Sequence, residues 1–313
     1  MPQVYAHDPV MLEEVVALYA TVPGGVVIDA TAGAGGHSAA VLASRPDLSV
    51  VALDADPDAV AAARSTLARF GERARVHHAR FDDMAAVAAG DGVVTGMASG
   101  VLFDLGVSSP QLDRAARGFS YRHDAPLDMR MDTSGGDTAA DVVNGWPESD
   151  LARLFAEHGE GRFARRIARA VVRARPLSTT AELAEVVRAA IPAAARRQGG
   201  HPARRVFQAV RVAVNDELDV LERTLPTAIE LLATGGRCVA IAYHSGEDRI
   251  VKHAFADAVS GGCQCPPDLP CRCGAVPLGR LVFRGARRPS PEESARNRRA
   301  DSARLRCFER VGS

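Results

Sequence analysis

Residues 26–37, Val-Val-Ile-Asp-Ala-Thr-Ala-Gly-Ala-Gly-Gly-His, contain the pattern from which the fold can be predicted. A short apolar run ends in an acid, a glycine-rich turn follows, and an Ala/Val/Leu helix begins near Ser38. Glycine adopts positive φ without steric cost and lets the backbone approach a ligand closely. A strand, a glycine turn and a helix in this order predict a nucleotide-type cofactor site, although cofactors of several kinds use such a turn.

Similar units follow this stretch along the chain. Apolar strands are predicted at residues 50–54, 75–78 and 100–104, and a helix is predicted at residues 59–70. Continuous apolar strands that alternate with helices are typical of a parallel sheet covered on both faces. We therefore predict a doubly wound α/β fold, in which ligands bind at the carboxyl ends of the strands.

The alternation of strands and helices stops after residue 104. The next comparable strand, residues 237–243, follows 132 intervening residues, whereas a whole βαβ unit needs roughly 30. The extra length predicts an inserted, mostly helical subdomain that recognises the substrate. We place this insertion at residues 111–211, with residues 1–110 and 212–313 forming the core.

Composition limits the class of protein. Apolar residues make up 47% of the chain and charged residues 24%, which is an ordinary globular balance. No apolar run approaches the ~20 residues that a membrane-spanning helix needs. The first residues show no basic segment followed by an apolar one, so we expect no signal peptide and a cytoplasmic protein.

Charge is distributed unevenly along a chain whose formal net charge is zero. Residues 151–211 hold 13 Arg against four Glu, and residues 284–310 hold nine Arg against four acids. Residues 1–150 hold 21 acids against ten Arg. This asymmetry predicts an anionic partner. A GC-rich genome would explain why Lys252 is the single lysine, but it would not explain why the arginines cluster.

Two segments of the insertion show helical spacing with an apolar side and a polar side. The apolar positions are Phe163, Ile167, Ala170 and Ala174, and later Phe207, Val210, Val214, Leu218 and Leu221. The arginines on the polar sides are Arg162, Arg166, Arg169 and Arg173, and later Arg204 and Arg211. We predict that these arginines contact phosphate groups of the anionic partner, with a solvated helix surface as the alternative.

The spacing of the glycines narrows the choice of cofactor. Residues 33–36 depart from the dinucleotide pattern G-x-G-x-x-G, and a nucleoside thioether such as S-adenosylmethionine has no pyrophosphate to hold. Asp54, at the end of the second strand, could accept both ribose hydroxyls of that cofactor or of NAD. Its alternative role as a helix N-cap suits the neighbouring Asp56-Pro57 pair better. Phe81 follows the third strand, where an adenine would lie, or is an ordinary core aromatic.

The fourth strand continues into a small, polar, proline-containing loop, residues 104–113. Such a loop suits methyl transfer to an exocyclic amino nitrogen, whose lone pair is delocalised into the ring. An acceptor held against the N–H would localise that lone pair, so positioning and electrostatics would supply most of the catalysis. We expect the acceptor among Asp104, Ser108 and Ser109, although the serines could instead cap the next turn. His244, after the fifth strand, could orient the base or a phosphate, or be a hydrogen-bonded structural histidine.

Longer motifs extend along nearly the whole chain. They are Asp-Leu-Gly-Val-Ser-Ser-Pro-Gln-Leu-Asp at 104–113, Gly-Phe-Ser-Tyr at 118–121, Pro-Leu-Asp-Met-Arg-Met-Asp at 126–132, Arg-Phe-Ala-Arg-Arg-Ile-Ala-Arg at 162–169, His-Pro at 201–202, Phe-Gln-Ala at 207–209, Asn-Asp-Glu-Leu at 215–218, and residues 243–252. This set resembles the bacterial 16S rRNA (cytosine-N4)-methyltransferase family, of the MraW or RsmH type. The resemblance implies S-adenosylmethionine as methyl donor and a decoding-region cytidine of 16S rRNA as acceptor. It also implies a Rossmann-like, mostly parallel seven-stranded class I methyltransferase sheet with a helical insertion.

The resemblance also implies site residues. The cofactor contacts implied by motif match are Gly35, Gly36, His37, Asp54, Phe81, Asp104 and Gln111. We add Gly33 to this set because it belongs to the same glycine turn. We favour an assembled small ribosomal subunit over free RNA as substrate, because the insertion presents an extended basic surface and RNA binding relies on phosphate contacts and splayed bases.

The chain departs from the family pattern at three places, none of them in the cofactor motif. Tyr243 and Gly246 stand where the family has Phe and Leu, and Gly161 stands where it has an acid. Near the end of the chain, Arg298 and Asp301 replace Pro and Arg, which weakens any role of that segment in RNA contact.

Four cysteines lie within the Pro/Gly/Cys-rich residues 261–279, where we predict a loop. They are Cys263, Cys265, Cys271 and Cys273. Disulfides are not expected in a cytosolic chain, and the gaps of one residue are tighter than the two to four usual between zinc ligands. A zinc site and unligated thiols are therefore both open, whereas catalysis by these thiols is not expected.

Two other functions are weighed against the methyltransferase. An NAD-dependent oxidoreductase would show G-x-G-x-x-G and a proton-relay dyad, and neither is evident. A non-enzymatic RNA-binding or assembly factor on the same fold would show an eroded glycine turn or loss of the acid at position 54, and both features are intact.

Overall fold

The computed structural model describes residues 9–108, 111, 114–196, 201–266 and 272–312. The chain divides into two compact units. We call Met1–Gly106 with Leu218–Ser313 the core unit, and Val107–Glu217 the inserted unit. The boundaries expected from sequence assign residues 212–217 to the core, whereas the structure groups them with the inserted unit because a helix that begins at Ala203 continues to Asn215.

The core unit is built on a sheet of seven strands within the described residues. The strands are β1 (Gly25–Asp29), β2 (Leu48–Asp54), β3 (Ala74–His78), β4 (Ala98–Asp104), β5 (Leu232–Ala242), β6 (Gly279–Leu281) and β7 (Arg304–Arg310). Their order is β3-β2-β1-β4-β5-β7-β6, in which β7 runs antiparallel to both of its neighbours and the remaining pairs are parallel. This topology confirms the predicted doubly wound, mostly parallel α/β sheet.

The central strands are apolar throughout because both faces of the sheet are covered. Alternate residues of β4 belong to different apolar clusters: Val101 and Phe103 pack in one, and Leu102 packs in the other. The neighbouring β1 divides in the same way, with Ile28 in the first cluster and Val27 in the second. A strand buried on both faces needs a continuous apolar run, which is the pattern from which these strands were predictable.

The helices of the core unit flank this sheet. They are α1 (Leu12–Tyr19), α2 (Gly36–Ser44), α3 (Pro57–Leu67), α4 (Met84–Gly90), α11 (Glu217–Leu231, whose first residue belongs to the inserted unit), α12 (Ser245–Ser260) and α13 (Pro291–Arg296). The Asp56 side chain accepts the Asp58 backbone N–H at 2.9 Å and Pro57 is the first helical residue, so the predicted cap of α3 is confirmed. The predicted helix at 59–70 is too long, because α3 ends at Leu67 and continues as a 3₁₀ turn that Gly71 interrupts.

The inserted unit is helical in the residues described. Its helices are α5 (Ala139–Gly145), α6 (Glu148–Phe155), α7 (Ala164–Ala174), α8 (Thr180–Ala190), α9 (Ala193–Arg196) and α10 (Ala203–Asn215). Large apolar side chains from four of these helices form one core of its own; Phe155, Ile167, Leu183 and Val206 are all fully buried. The unit therefore has the internal core that a separate subdomain needs.

Two helical faces differ from the pattern predicted by sequence. On α7 the buried residues are Ala164, Ile167, Ala168 and Val171, whereas Ala174, which was expected on the apolar side, is exposed. The later segment is not one continuous helix, because Asp216 adopts a left-handed φ of 53° between α10 and α11. Among the described residues, none of the helices is both long and apolar enough to cross a membrane.

Candidate active site

Three aspartates lie at the carboxyl ends of adjacent strands of the core unit. Asp29 ends β1, Asp54 ends β2 and Asp104 ends β4, and β1 lies between the other two strands. In a doubly wound sheet this edge is where ligands bind. The three carboxylates therefore mark the candidate site.

The glycine turn between β1 and α2 presents open backbone at this edge. Gly33 adopts a φ of 53°, and no described atom lies within 4 Å of the position that a side chain would occupy. Gly35 adopts a φ of 82°, where a Cβ would lie 3.2 Å from the Leu67 side chain. Only glycine adopts such φ values without strain. The turn is thus closely packed against Leu67 at Gly35, whereas the space beside Gly33 is open.

Gly36 and His37 lie deeper than the resemblance to the family suggested. A Cβ on Gly36 would lie 2.4 Å from the Pro9 ring, so this glycine is packed against the chain itself. His37 is only 5% exposed, and its Nε2 lies 3.0 Å from the Val10 carbonyl oxygen. Because a carbonyl oxygen can only accept, Nε2 carries a proton. Both residues shape the turn, and their cofactor contacts stay predictions.

Asp54 is held in place by backbone N–H groups. Its Oδ2 accepts from Gly33 N at 2.8 Å, and its Oδ1 accepts from Asp56 N at 2.9 Å. Burial raises the pKa of the Asp54 carboxyl to about 6, against the lowering effect of the two backbone hydrogen bonds. Since Asp56 caps α3, Asp54 has no capping role, and each of its oxygens keeps a further lone pair for a ligand.

Asp29 holds the glycine turn in place through two hydrogen bonds. Its Oδ2 accepts the Ser38 hydroxyl at 2.6 Å, and its Oδ1 accepts Thr31 N at 3.3 Å. Burial raises the pKa of Asp29, and the Ser38 hydrogen bond opposes that rise. The end of β1 and the start of α2 are therefore tied together by one buried carboxylate.

Asp104 is the most strongly connected of the three acids. Its backbone N–H donates to Thr31 Oγ1 at 2.6 Å, its Oδ1 accepts the Tyr243 hydroxyl at 2.7 Å, and its Oδ2 lies 3.6 Å from His37 Nδ1. Burial raises the pKa of Asp104, while His37 and the Tyr243 hydrogen bond lower it. The carboxylate is thus positioned at the end of β4 by groups from three other segments.

Tyr243 is a site residue that the sequence did not reveal. Burial and the neighbouring Asp104 raise the pKa of its phenol well above the usual value, so the hydroxyl keeps its proton and donates. The ring lies against Gly106, where a Cβ would come within 3.3 Å of it. The available signal was the departure from the family pattern, which has Phe at this position.

His244 caps helix α12. Its Nδ1 accepts the backbone N–H groups of Gly246 at 3.2 Å and Glu247 at 3.4 Å. Glu247 is buried, and its Oε2 accepts the backbone N–H groups of Tyr243 and His244 in return. The alternative of a hydrogen-bonded structural histidine thus has direct geometric support, whereas a role in orienting the base or a phosphate stays a prediction.

Phe81 lies in a short 3₁₀ turn after β3. Its ring meets Phe103 edge to face, with centroids 5.7 Å apart and planes at 88°. The ring is half-buried against the core cluster that contains Phe103. It therefore packs as a core aromatic and keeps an exposed part that an adenine could contact.

Other predicted residues lie in the inserted unit. Gln111 is 4% exposed, and its Oε1 accepts Ser108 N at 2.9 Å. Ser108 Oγ is buried without a hydrogen-bond partner among the described residues, and such an atom is costly unless a ligand or water satisfies it. Ser109 lies outside the described residues.

The predicted arginines differ in exposure. Those exposed on or beside α7 are Arg162, Arg166, Arg169 and Arg173, and Arg204 is exposed on α10. Arg169 lies 3.5 Å from Glu148. Arg211 is different, because its side chain is 13% exposed and makes two 2.8 Å hydrogen bonds to the Glu217 carboxylate. The geometry favours a partly buried structural ion pair for Arg211, whereas the other arginines have exposed side chains, of which Arg169 is paired with Glu148.

A cavity of about 270 Å³ lies beside Tyr243 in the core unit. Its lining residues are Tyr243, His244, Ser245, Arg288, Asp301, Ser302, Ala303 and Arg304. Arg304 donates to Asp248 at 2.9 Å, and Arg288 is exposed. Sequence reasoning did not single out Arg288 or Arg304, because their place at this cavity depends on how the last strand pairs with β5.

Known proteins resemble this chain along nearly its whole length. Residues 4–311 match the family described as the MraW methylase family. A protein named ribosomal RNA small subunit methyltransferase H from Symbiobacterium thermophilum is 52% identical over 308 residues, which are 97% of this chain and 96% of that protein. A protein of the same name from a Nocardioides species is 53% identical over 314 residues, which are 98% of this chain and 97% of that protein.

Solved structures are more distant. The structure of an rRNA methylase from Streptococcus thermophilus aligns with 98% of this chain and 99% of its own chain. The two are 11% identical in sequence, and the TM-score is 0.42. That score is too low to support an argument about function. The sequence comparisons confirm the family suggested by the motifs.

Proposed function

Since this chain belongs to the MraW methylase family, we propose that it transfers a methyl group from S-adenosylmethionine to the exocyclic N4 of a cytidine in the decoding region of 16S rRNA. The proposed substrate is an assembled small ribosomal subunit. The two relatives described above are named as ribosomal RNA small subunit methyltransferases, which supports an rRNA substrate for this chain.

Membership of a methylase family and the class I sheet imply S-adenosylmethionine as the methyl donor. The residues at the open edge of the sheet suit that nucleoside. Asp54 keeps acceptor capacity for ribose hydroxyls, Gly33 leaves open space, and Phe81 presents part of its ring. Bound there, S-adenosylmethionine would supply a methyl group on a positively charged sulfur.

The observation that carries the proposal is the position of Asp104. Its carboxylate ends β4, next to the glycine turn that follows β1, and it is oriented by Thr31, Tyr243 and His37. A fixed acceptor of this kind can take a hydrogen bond from the cytosine amine, which localises the nitrogen lone pair and aims it. The amine proton becomes acidic as the new bond forms, so a carboxylate is a sufficient acceptor.

We further propose that the inserted unit recognises the RNA. Its exposed arginines on and beside α7 match the phosphate contacts on which RNA affinity depends. Arg211 is left out of this surface because of its ion pair with Glu217.

The test compares Asp104→Asn with the wild-type chain on small subunits from cells that lack this gene. Because Asp104 is also a predicted cofactor contact, we expect Asp104→Asn to bind S-adenosylhomocysteine more weakly, and to lose methyl transfer by at least tenfold even at saturating methyl donor, as expected when a positioned polar group is removed. Asp47→Asn, an exposed carboxylate paired with Arg45, is the matched control and should retain full activity. Near-normal transfer by Asp104→Asn with saturating methyl donor would refute the role of Asp104.

A non-enzymatic assembly factor is the second candidate. It predicts that the wild-type chain binds S-adenosylhomocysteine and the small subunit but transfers no methyl group to any RNA. Family membership as a methylase argues against an NAD-dependent oxidoreductase, and thermal stabilisation by S-adenosylhomocysteine but not by NAD would test that alternative directly.

A further inference from the structure

The loop between helix α12 and strand β6 brings three cysteines together. These cysteines are not among the residues of the candidate active site. The base of this loop is closed by backbone hydrogen bonds, from Gly262 N to Asp257 O at 3.0 Å and from Leu278 N to Ala258 O at 2.8 Å. Gly261 adopts a φ of 65°, and a Cβ there would lie 2.4 Å from the Val276 carbonyl oxygen. The two ends of the loop are thus in contact.

Within the closed loop the sulfur atoms of Cys263, Cys265 and Cys273 all lie within 4.8 Å of one another. The Cys273 and Cys263 sulfurs are 3.6 Å apart. A disulfide holds its sulfurs roughly 2.0 Å apart, whereas a tetrahedral zinc ion with Zn–S bonds of ~2.3 Å keeps its thiolate sulfurs ~3.8 Å apart. The observed separation is close to the edge of a thiolate tetrahedron and longer than a disulfide bond.

The loop has little apolar packing that could hold the thiols together. Within the described part, residues 262, 264, 266, 272–274, 276 and 277 are exposed, and Val276 is 60% exposed. Ordering such a segment costs conformational entropy without a compensating hydrophobic core. Small segments of this kind are commonly stabilised by a structural metal.

We propose that Cys263, Cys265 and Cys273 are thiolate ligands of a structural zinc ion that closes the loop between α12 and β6. Soft thiolates favour Zn²⁺ over the hard cations Mg²⁺ and Ca²⁺. Each thiol that binds loses its proton to solvent, so zinc uptake releases protons and weakens at low pH. Cys271, the remaining cysteine of the cluster predicted from the sequence, lies outside the described residues.

The remaining described cysteines are unsuited to this role. Cys238 and Cys307 are buried in the sheet, and burial raises the pKa of the Cys307 thiol to about 12. These two thiols therefore stay protonated and protected from reagents in the native protein. A thiol reagent added to the native chain should report on the loop alone.

The first test measures metal in the full-length chain, purified without a polyhistidine tag. We expect about one zinc ion per chain by elemental mass spectrometry, and substitution of cobalt should give the absorption bands of tetrahedral thiolate coordination. The double variant Cys263→Ser/Cys265→Ser and the variant Cys273→Ser should each lose most of the zinc. Gln264→Ser, an exposed change between two of the ligands, should retain it.

A second measurement does not depend on the folding of any variant. Removal of zinc from the wild-type chain by a chelator should lower the melting temperature and expose the loop thiols to a thiol reagent, and added zinc should reverse both effects. Wild-type protein that contains no zinc, variants that retain it, or a loop disulfide found by mass spectrometry under non-reducing conditions would each overturn the proposal.

Discussion

Asp104 shows how single hydrogen bonds set the chemistry of the site. The Tyr243 hydroxyl donates to one of its carboxylate oxygens at 2.7 Å, and His37 Nδ1 lies 3.6 Å from the other. Burial raises the pKa of Asp104, and both neighbours oppose that rise because they favour the charged form. The pKa of Asp104 therefore stays above its usual value, and the two neighbours limit how far it rises.

Tyr243→Phe removes one of these two supports while keeping the ring that packs on Gly106. Without the donated hydrogen bond the pKa of Asp104 rises further. Because the reaction needs the carboxylate, activity is lost as the pH falls through that pKa, so the acidic limb of the rate profile moves to higher pH. The shift should be roughly one to two pH units, since a hydrogen bond to a charged group contributes about 1.5–3 kcal/mol. Profiles of kcat/KM for the two proteins that superimpose would contradict this role.

Asp54 should make cofactor affinity depend on pH. Burial raises its pKa to about 6, and the ionised form accepts hydrogen bonds from ribose hydroxyls more strongly than the protonated form. As the pH falls below 6, the strongly accepting form is depleted, so affinity for S-adenosylhomocysteine should decrease by up to about tenfold per pH unit.

Asp54→Asn should abolish this dependence on pH. It should also weaken binding by about 10- to 100-fold, because hydrogen bonds to a charged group contribute about 1.5–3 kcal/mol. Calorimetric titrations between pH 5 and pH 8 measure both effects. An affinity in the wild-type chain that does not change over this range is the result that counts against the assignment.

At this scale the sequence predicts some residues and not others. Asp54 and Asp104 could be predicted because each follows an apolar strand directly. Tyr243 could not, because its bond to Asp104 depends on β4 and β5 being neighbours in the sheet. The ion pair that occupies Arg211 likewise depends on Asp216 turning the chain back, so that Glu217 comes within reach.

At the scale of elements, the glycine turn connects strand β1 to helix α2, and the buried Asp29 carboxylate ties the two together.

Strands and their ends were predictable from the sequence because a strand covered on both faces needs an uninterrupted apolar run. Helical faces were less predictable, because alanine is tolerated inside and outside, and α7 buries Ala164 and Ala168 but exposes Ala174. The break at Asp216 uses a left-handed φ of 53°, a conformation in which aspartate is enriched but which its presence does not by itself predict.

Gly35→Ala should destabilise the turn. The new methyl group would force a residue with φ of 82° into a strained conformation and lie 3.2 Å from the Leu67 side chain. We expect a loss of about 1–2 kcal/mol in the free energy of unfolding, measured by denaturant titration. Gly90→Ala is the matched control: it has ordinary φ and no described neighbour within 4 Å, so it should be neutral or slightly stabilising. Equal effects of the two changes would show that the turn does not require glycine at position 35.

At the scale of the whole molecule, we propose that function divides between the two units. The acids that form the candidate site come from the acidic first part of the chain, and exposed arginines come from the inserted unit. Charge counts along the sequence predicted an anionic partner, but they could not show which arginines are engaged in ion pairs. The proposed division assigns catalysis to the core unit and RNA affinity to the insertion.

Charge removal on α7 should weaken RNA binding without affecting the cofactor. The double variant Arg166→Ala/Arg173→Ala removes two exposed cations, so the affinity for small subunits should fall. The slope of log K against log salt concentration should become less steep by roughly 0.7–0.9 for each phosphate that the protein no longer neutralises. Arg153→Ala, in the same unit but paired with Asp150, is the control for a general effect of charge. An unchanged salt dependence in the double variant would place the RNA surface elsewhere.

The central claim is tested most directly by mass mapping of 16S rRNA. Small subunits from cells lacking this gene are incubated with the pure chain and S-adenosylmethionine that carries a deuterated methyl group, and the decoding-region fragments are then sequenced by mass spectrometry. The account predicts one cytidine that gains the label on its N4 nitrogen. A label on carbon or on ribose, or subunits that stay unlabelled although the protein binds the methyl donor, would contradict it.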